Sequence, residues 1–488
     1  MNAASTLQKL NLFDVTNLVV GSAVGADIYV VASLGSAYLG PASLLVWIIG
    51  GAIAIFIALN FAEAAALEPR VGGPFAYACE VWGDFAGFLV GWPLWIAEVA
   101  ALAVMPVAFV RYLSYFVPSL TLAQGTIIKI LFVVSIAYVN MRGVKAAGRA
   151  NDVLTIAKLS PLLLLIVAGF IYLALNPGIA SSNLIPFVPL GLGNFGPALV
   201  LIIWAYAGFE LAVIPSGEVE NPTKTIPKAM IIGMAIVTFF YVVTNFVVLA
   251  SVNWITLQYA VAPLAVAGSV VLSYTPTLAL IGGTILGLGA LISVSGFDES
   301  GTLSTARLSY AISLEGLFPK LFSKIHPKYG TPYGSIIAQS ALALFASLIG
   351  GLTQLITFSV FNLAFVYLAT SATIFPLRER KKQAGGERTY LERRTGPIIP
   401  IAGIILSAYL IYSCGIATIA LGIVSILIGI PIYVLYAPRT ELATLKKNFY
   451  STKALLSRSA RTQKVFLGYL VQLTRKIAVR VRARERHE

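Results

Sequence analysis

Residues 204–228 read Trp204-Ala-Tyr-Ala-Gly-Phe-Glu-Leu-Ala-Val-Ile-Pro-Ser-Gly-Glu-Val-Glu-Asn-Pro-Thr-Lys-Thr-Ile-Pro-Lys228. The first half completes an apolar run that begins near residue 196, and both Gly208 and Glu210 lie inside that run. Glycine is a poor helix former, and a carboxyl group is costly in apolar surroundings. The Asn-Pro and Ile-Pro pairs of the second half are helix-boundary signals. The stretch therefore predicts an apolar helix that breaks near Gly208 and is followed by a structured turn.

The whole chain is apolar enough that lipid is its expected solvent. Of its 488 residues, 58% are hydrophobic and 11% are charged, whereas soluble domains carry about 25% charged residues. A crossing helix needs about 20 mostly apolar residues, and such runs predict an all-α polytopic membrane protein with about 12 transmembrane helices. The predicted spans are 14–37, 42–65, 86–110, 126–140, 154–175, 196–215, 229–251, 277–297, 333–350, 354–376, 398–416 and 418–437.

The basic residues predict the orientation of the chain. With a cytoplasmic N-terminus, all basic residues except Arg111 and Lys129 fall in cytoplasmic segments or their flanks, as the positive-inside rule expects. We therefore predict a multi-pass protein of the cell (plasma or inner) membrane with both termini in the cytoplasm. The net charge of +14 is not gathered on the face of a soluble domain, which argues against nucleic acid as a partner.

The tail, residues 438–488, mixes basic residues with Phe466, Leu467 and other apolar side chains. A basic helix with an apolar stripe lies on anionic lipid. No charge-free apolar face persists through the segment, so a disordered basic tail is an equal alternative. The tail therefore has anionic lipid as a candidate partner.

The first span contains a second candidate break, Gly21-Ser-Ala-Val-Gly25-Ala-Asp27. Two glycines four residues apart are also typical of close helix–helix packing. Asp27 changes the balance, because a carboxylate inside a membrane is expensive and points to function. Paired interruptions in corresponding helices of a repeat mark the substrate sites of transporters. The first and sixth spans have the offset expected of two inverted five-helix repeats.

The stretch quoted first resembles the signature of the amino acid–polyamine–organocation (APC) superfamily, an aromatic-Ala-Tyr-x-Gly-Phe-Glu sequence followed by Glu, Asn-Pro and Ile-Pro. Further blocks match in order over most of residues 12–437. They are Val71-Gly-Gly-Pro-Phe-Ala-Tyr77, Asn140-Met-Arg-Gly-Val-Lys145, Glu315-Gly-Leu-Phe-Pro319 and His326-Pro-Lys-Tyr-Gly-Thr-Pro332. The chain is identified by this resemblance as an amino acid permease with a LeuT-type fold.

The resemblance implies a domain organisation and a substrate site. The organisation is a cytoplasmic N-terminus (1–13), a ten-helix transport core (14–376, with inverted repeats 14–175 and 196–376), two appended helices (398–437) and the tail. The substrate, an amino acid or a related amine, lies between the broken first and sixth helices, where free N–H and C=O groups bind its carboxylate and ammonium. The implied substrate-binding residues are Gly21, Ser22, Ala23, Gly25, Ala26, Asp27, Trp204, Ala205, Tyr206, Gly208 and Phe209, with Tyr206 and Phe209 as candidate gates.

Asp27 is a departure from the family, whose members usually have Gly-Ser-Gly-Ile-Phe at this break. A carboxylate there repels the carboxylate of a substrate unless it is neutralised. One neutraliser is an additional amine on the substrate, which favours cationic amino acids or polyamines. The other is Lys158 in the fifth span, a position at which proton-coupled relatives similarly have a lysine.

A second departure lies in the eighth span, where Asp298 and Glu299 stand in place of the family's Asn and small residues. We expect Asp27, Lys158 and one of these two acids to form a buried proton-coupling cluster, with H⁺ as the coupling ion. The alternative is that Lys158 extends to the interface and the two acids cap the end of the helix. Glu63 and Glu98 are expected to have structural roles, and Glu210 is expected to hold the sixth span to a neighbour.

Other functional classes fit poorly. Two His and two Cys, well separated in the sequence, form no disulfide framework, metal motif or nucleophile–base pair, and no repeated selectivity motif suggests a channel. We predict a secondary transporter that is not an enzyme and that uses no cofactor and no metal. The sequence leaves open the identity of the amino acid, symport or antiport, and the oligomeric state.

Overall fold

The computed structural model describes residues 10–25, 27–69, 72–143, 147–213, 216 and 219–437, with the backbone but not the side chains of 147–158. Its helices in the first half are α1 (Leu12–Ala23), α2 (Asp27–Leu39), α3 (Ser43–Leu67), α4 (Pro74–Trp82), α5 (Asp84–Phe116), α6 (Leu122–Arg142), α7 (Ala147–Leu175) and α8 (Ile179–Leu184). Those of the second half are α9 (Phe195–Tyr206), α10 (Phe209–Ala212), α11 (Pro222–Ser251), α12 (Trp254–Tyr259), α13 (Pro263–Val271), α14 (Pro276–Leu314), α15 (Tyr333–Ile349), α16 (Leu352–Gln383), α17 (Tyr390–Thr395), α18 (Ile398–Ser413) and α19 (Ile416–Tyr436).

The prediction of an all-α polytopic membrane protein is confirmed. Within the described part of the chain, eight helical stretches are long and apolar enough to cross a membrane, and four shorter apolar helices accompany them. The central stretches are the most enclosed: 78% of the most apolar window is buried in α5, against 11% in α6 and 17% in α19. Helices α6 and α19 therefore lie at the edge of the bundle, while α5 lies in its middle.

Both predicted interruptions are present. The first span is divided into α1 and α2, and the sixth into α9 and α10. The divided helices meet, because α1 contacts α10 and α2 contacts α9. The predicted domain boundaries remain predictions, and the tail, with its expected lipid contact, lies outside the described residues.

The eighth span is longer than predicted. We expected it to end at residue 297, but α14 continues to Leu314, so Asp298 and Glu299 lie within the helix and do not cap its end. The residues that follow, Gly301 and Thr302 among them, are buried inside the bundle as part of the same helix. The short helices α4, α8, α12, α13 and α17 were not predicted, because a search for crossing lengths overlooks helices of this size.

The segment before α1 is joined to the segment after α10 by backbone contacts. Leu10 forms an isolated parallel bridge with Val219, and the N–H of Glu220 donates to the carbonyl oxygen of Leu10 at 2.9 Å. Asn11 then begins α1 with a capping box: its side chain accepts from two N–H groups of the first turn, and Asp14 accepts from the Asn11 N–H. The two broken spans are thus connected at their ends as well as at their interruptions.

A buried ion pair joins α3 to α16. The Nε and one terminal nitrogen of Arg378 each donate to a different oxygen of Glu63 at 2.8 Å, and Thr389 donates to Glu63 at 2.9 Å. The other terminal nitrogen of Arg378 donates to the carbonyl oxygen of Gly396 at 2.7 Å. The expected structural role of Glu63 agrees with this geometry, because its carboxylate joins α3 to α16 and to the start of α17, and Arg378 binds the end of α17.

Candidate substrate site

The interruption of the first span begins where α1 ends at Ala23. Val24 takes an extended conformation, with φ −80° and ψ 98°, although its N–H still donates to Val20. The ring of Phe297 from α14 occupies the space that a side chain on Gly25 would need. Asp27 opens the first turn of α2, and its side chain is buried, with 1% exposure. The interruption therefore places a carboxyl group and the backbone groups of two helix ends in the interior of the bundle.

The interruption of the sixth span lies directly against that of the first. Ala207 is extended, and Gly208 has φ +112°, a backbone conformation that residues with a side chain rarely adopt. A Cβ atom on Gly208 would overlap the carbonyl group of Ser22. The two unwound segments are therefore in backbone contact, and glycine is what allows that contact.

Tyrosine side chains bind the carbonyl groups around the interruptions. The hydroxyl of Tyr241 in α11 donates to the carbonyl oxygen of Ala23 at 2.8 Å, and that of Tyr206 donates to Trp47 at 2.7 Å. The rings of Trp47, Tyr206 and Tyr241 lie with centroids 5.2–6.0 Å apart. A buried carbonyl without a partner is costly, so the Tyr241 hydroxyl stabilises the end of α1 at the interruption. The Tyr206 hydroxyl instead joins the end of α9 to α3.

Glu210 holds the interruption of the sixth span from the other side. Its Oε2 atom accepts from the Gly208 N–H at 3.0 Å and from the hydroxyl of Tyr367 in α16 at 3.2 Å. The neighbouring Phe209 is buried and stacks on Tyr367, with ring centroids 5.4 Å apart. Glu210 thus links the sixth span to α16, as the sequence led us to expect.

Glu98 of α5 brings a third carboxyl group to this region. It is 6% exposed, and it lies close enough to Glu210 and Asp27 to repel them electrostatically. From the sequence we expected only a structural role for Glu98. The signal that could have raised its importance was an acid in the middle of the third span, together with the expectation that this helix packs beside the first and sixth.

Comparison with known proteins identifies the family. The amino acid permease family model matches residues 10–454. This chain belongs to the amino acid permease family of the APC superfamily. It is a multi-pass membrane transporter of amino acids and not an enzyme.

Three relatives from Bacillus subtilis (strain 168) illustrate the range of the family. The permease is 31% identical to the serine/threonine exchanger SteT, over 87% of this chain and 96% of the relative. It is 27% identical to the branched-chain amino acid permease BcaP, over 89% and 94%. It is 26% identical to the aspartate-proton symporter, over 90% and 86%. Exchange and symport thus both occur among its relatives.

The structure brings together most, but not all, of the predicted site residues of this permease. Gly21, Ser22 and Ala23 form the end of α1, and Trp204, Ala205 and Tyr206 form the buried end of α9. Ala26 lies outside the described residues. Lys158 lies in α7, which contacts α1, but its side chain is outside the described part.

Asp298 lies on a different face of α14 from the one that meets the interruption. Its neighbour Phe297 contacts Gly25, and successive helix residues are about 100° apart around the axis. Asp298 instead lines a small cavity with residues of α5, α6, α14 and α15. Asp298 therefore does not lie beside Asp27, and the expected cluster of Asp27, Lys158 and one of the two acids remains a prediction through Glu299. Glu299 is half-buried in the next position of the helix.

Proposed function

We propose that this permease is a proton-coupled amino acid transporter whose substrate binds between the interruptions of the first and sixth spans. The contact of Gly208 with Ser22 carries the proposal, because it places the loose ends of α1, α2, α9 and α10 around one point. N–H groups at the start of a helix attract a carboxylate, and unpaired carbonyls attract an ammonium group. These helix ends can therefore bind both the carboxylate and the ammonium group that every free amino acid carries.

Coupling to protons is proposed to involve Asp27 and Lys158. An ionised carboxyl group at membrane depth is costly unless it is paired or protonated. Asp27 is 1% exposed at the start of α2, and Lys158 lies on α7, which packs against both α1 and α14. The gain or loss of one proton by Asp27 or Lys158 changes the free energy of closing the substrate site. Substrate movement is thereby linked to proton movement.

A second candidate is a carrier of cationic amino acids or polyamines. The observation that favours it is the proximity of Glu98 to both Asp27 and Glu210, close enough for Glu98 to repel each of these two carboxyl groups. A substrate with an additional amine relieves that repulsion when one of the three, Asp27 in particular, accepts a hydrogen bond from it.

Uptake into proteoliposomes under an inward proton gradient separates the two candidates. We would measure alanine, leucine, arginine, lysine and putrescine side by side, with and without an uncoupler. Uptake of neutral amino acids that collapses with the uncoupler supports proton-coupled transport with an internally neutralised Asp27. Uptake confined to arginine, lysine or putrescine supports direct recognition of the substrate's charge. Absence of uptake and of counterflow for all five would contradict both.

Replacing Lys158 by alanine is expected to uncouple transport from the proton gradient. The variant loses the basic group that is proposed to couple transport to protons together with Asp27, so gradient-driven accumulation falls to the level reached by exchange alone. The measurement compares gradient-driven uptake with counterflow in the same vesicles.

Lys129→Ala is the matched control for this measurement. Lys129 also lies in a membrane helix, but its ammonium group donates to the Ser347 carbonyl oxygen at 2.8 Å, away from the interruptions. We expect the control to accumulate substrate as the parent does. A Lys158→Ala protein driven by the gradient as well as the parent would rule out this coupling scheme.

The proposed setting is the cell membrane, with both ends of the chain in the cytoplasm. The support is the distribution of Lys and Arg along the sequence, which follows the positive-inside rule. In this orientation the basic tail is on the cytoplasmic side, where anionic lipid is its proposed partner.

A further inference from the structure

A small cavity lies between α5, α6, α14 and α15, separate from the interrupted helices. Four aliphatic side chains and three polar ones line it, and the polar residues are Asp298, Thr302 and Ser340. Asp298 and Thr302 are one turn apart on α14, and Ser340 faces them from α15. The cavity thus combines one acid and two hydroxyl groups with an apolar wall.

The polar groups of this cavity have no partners among the described residues. Asp298 is 3% exposed, its Oδ1 atom accepts no hydrogen bond, and no described basic side chain forms an ion pair with it. Thr302 is 2% exposed and Ser340 is 8% exposed, and in the described structure neither hydroxyl has a hydrogen-bond partner. Buried polar groups are normally satisfied, so these atoms indicate a ligand.

The position of Thr302 is fixed by a neighbouring side chain. The amide nitrogen of Gln339 in α15 donates to the carbonyl oxygen of Thr302 at 2.5 Å, while the amide oxygen of Gln339 is buried without a partner. This bond ties α14 to α15 directly beside the cavity. The oxygen atoms around Asp298 are therefore held by two helices, which is the rigidity that an ion site needs.

The chemistry of the lining selects among possible ligands. A proton on Asp298 would neutralise its charge, but it would leave the two hydroxyl groups without partners. A divalent cation prefers six or more oxygen ligands, usually with several carboxylates. One carboxylate and two hydroxyl oxygens supply a single negative charge, which a monovalent cation balances and a divalent cation does not.

We propose that this cavity binds one sodium ion, with Asp298 as the charged ligand and the hydroxyl oxygens of Thr302 and Ser340 as neutral ligands. The ion removes the cost of the buried carboxylate and stabilises the packing of α14 on α15. The site is independent of which amino acid is transported, because it lies on the face of α14 away from Gly25.

The test uses thermal unfolding of the purified full-length protein at constant ionic strength, with sodium chloride replaced stepwise by N-methyl-D-glucamine chloride. An ion that binds the folded state raises the unfolding temperature progressively, with the logarithm of the ion concentration once this exceeds the dissociation constant. We expect sodium to do so for the parent, and Asp298→Asn to lose the sodium-dependent rise. Thr302→Val should need about tenfold more sodium for the same rise, the effect of losing one polar contact.

Two controls keep the proposal falsifiable. Asp27→Asn should retain the full sodium effect, and its loss there would move the ion to the interrupted helices and overturn the proposal. Equal unfolding temperatures of the parent in both salts, as expected if Asp298 simply carries a proton or faces a water molecule, would also overturn it. If Asp298→Asn does not fold, the binding of ²²Na⁺ to the parent and to Thr302→Val is measured instead. The proposal is contradicted if the parent shows no specific binding, or if both proteins bind sodium with equal affinity.

Discussion

Gly208→Ala is expected to abolish substrate uptake. Gly208 has φ +112°, and a Cβ atom there would overlap the carbonyl group of Ser22. The conformation alone costs a non-glycine residue about 1–3 kcal/mol, and the overlap also forces the two interruptions apart. A displacement of about 1 Å in a binding site can cost about a hundredfold in rate. We therefore expect uptake in proteoliposomes to fall about a hundredfold, which is close to background.

Gly191→Ala separates the two causes of this loss. Gly191 also has positive φ, +70°, but a Cβ atom there has nothing within 4 Å. The control therefore carries a backbone penalty without the overlap, and we expect it to transport at nearly the parent's rate. Equal uptake by the two variants would show that contact between the interruptions is not needed for transport.

Glu63→Ala is expected to destabilise the protein more than any surface ion-pair change. The carboxylate of Glu63 is fully buried, and the Arg378 side chain that it binds is 11% exposed. Removing one partner leaves a buried charge unpaired, which costs about 3–5 kcal/mol. The measurement is the free energy of unfolding of the purified protein, by denaturant titration with the substrate absent.

Glu80→Ala is the matched control, since Glu80 also binds an arginine of α16. Arg380 donates to Glu80 at 2.6 Å, but this pair is exposed to 49% and 29%, and exposed pairs contribute about 0–1 kcal/mol. The double change Glu63→Leu with Arg378→Met should recover much of the lost stability, because no buried charge remains. A loss of stability in Glu63→Ala no larger than in Glu80→Ala would contradict the interpretation that the buried Glu63–Arg378 ion pair stabilises the fold.

The interruptions of the first and sixth spans were predictable because their cause is local. Glycine weakens a helix wherever it stands, and an acid in an apolar run is conspicuous, so Gly25 with Asp27 and Gly208 with Glu210 are visible in the sequence. The contact of Gly208 with Ser22 is not local. It depends on how two distant segments pack. Only the structure shows that the Ser22 carbonyl group occupies the space that a side chain at position 208 would need.

The acids of the interior show where sequence reasoning reached its limit. Whether Asp298 faces the interruption or the cavity depends on the rotation of α14, which a helix with apolar residues on all sides does not reveal. Glu98 was undervalued for a related reason, because its neighbours Asp27 and Glu210 come from other helices. The sequence identified the costly groups, but it did not show which of them meet.

The hydrogen bond between Leu10 and Glu220 has a consequence for how motion in this protein can be observed. The segment before α1 and the segment after α10 are joined by backbone contacts. We therefore expect these ends of the two interrupted spans to move together. A spin label near residue 10 should keep a constant distance to one near residue 219 through the whole transport cycle. The distance from either label to a label on α5 should change when the two interrupted spans move relative to α5 during transport.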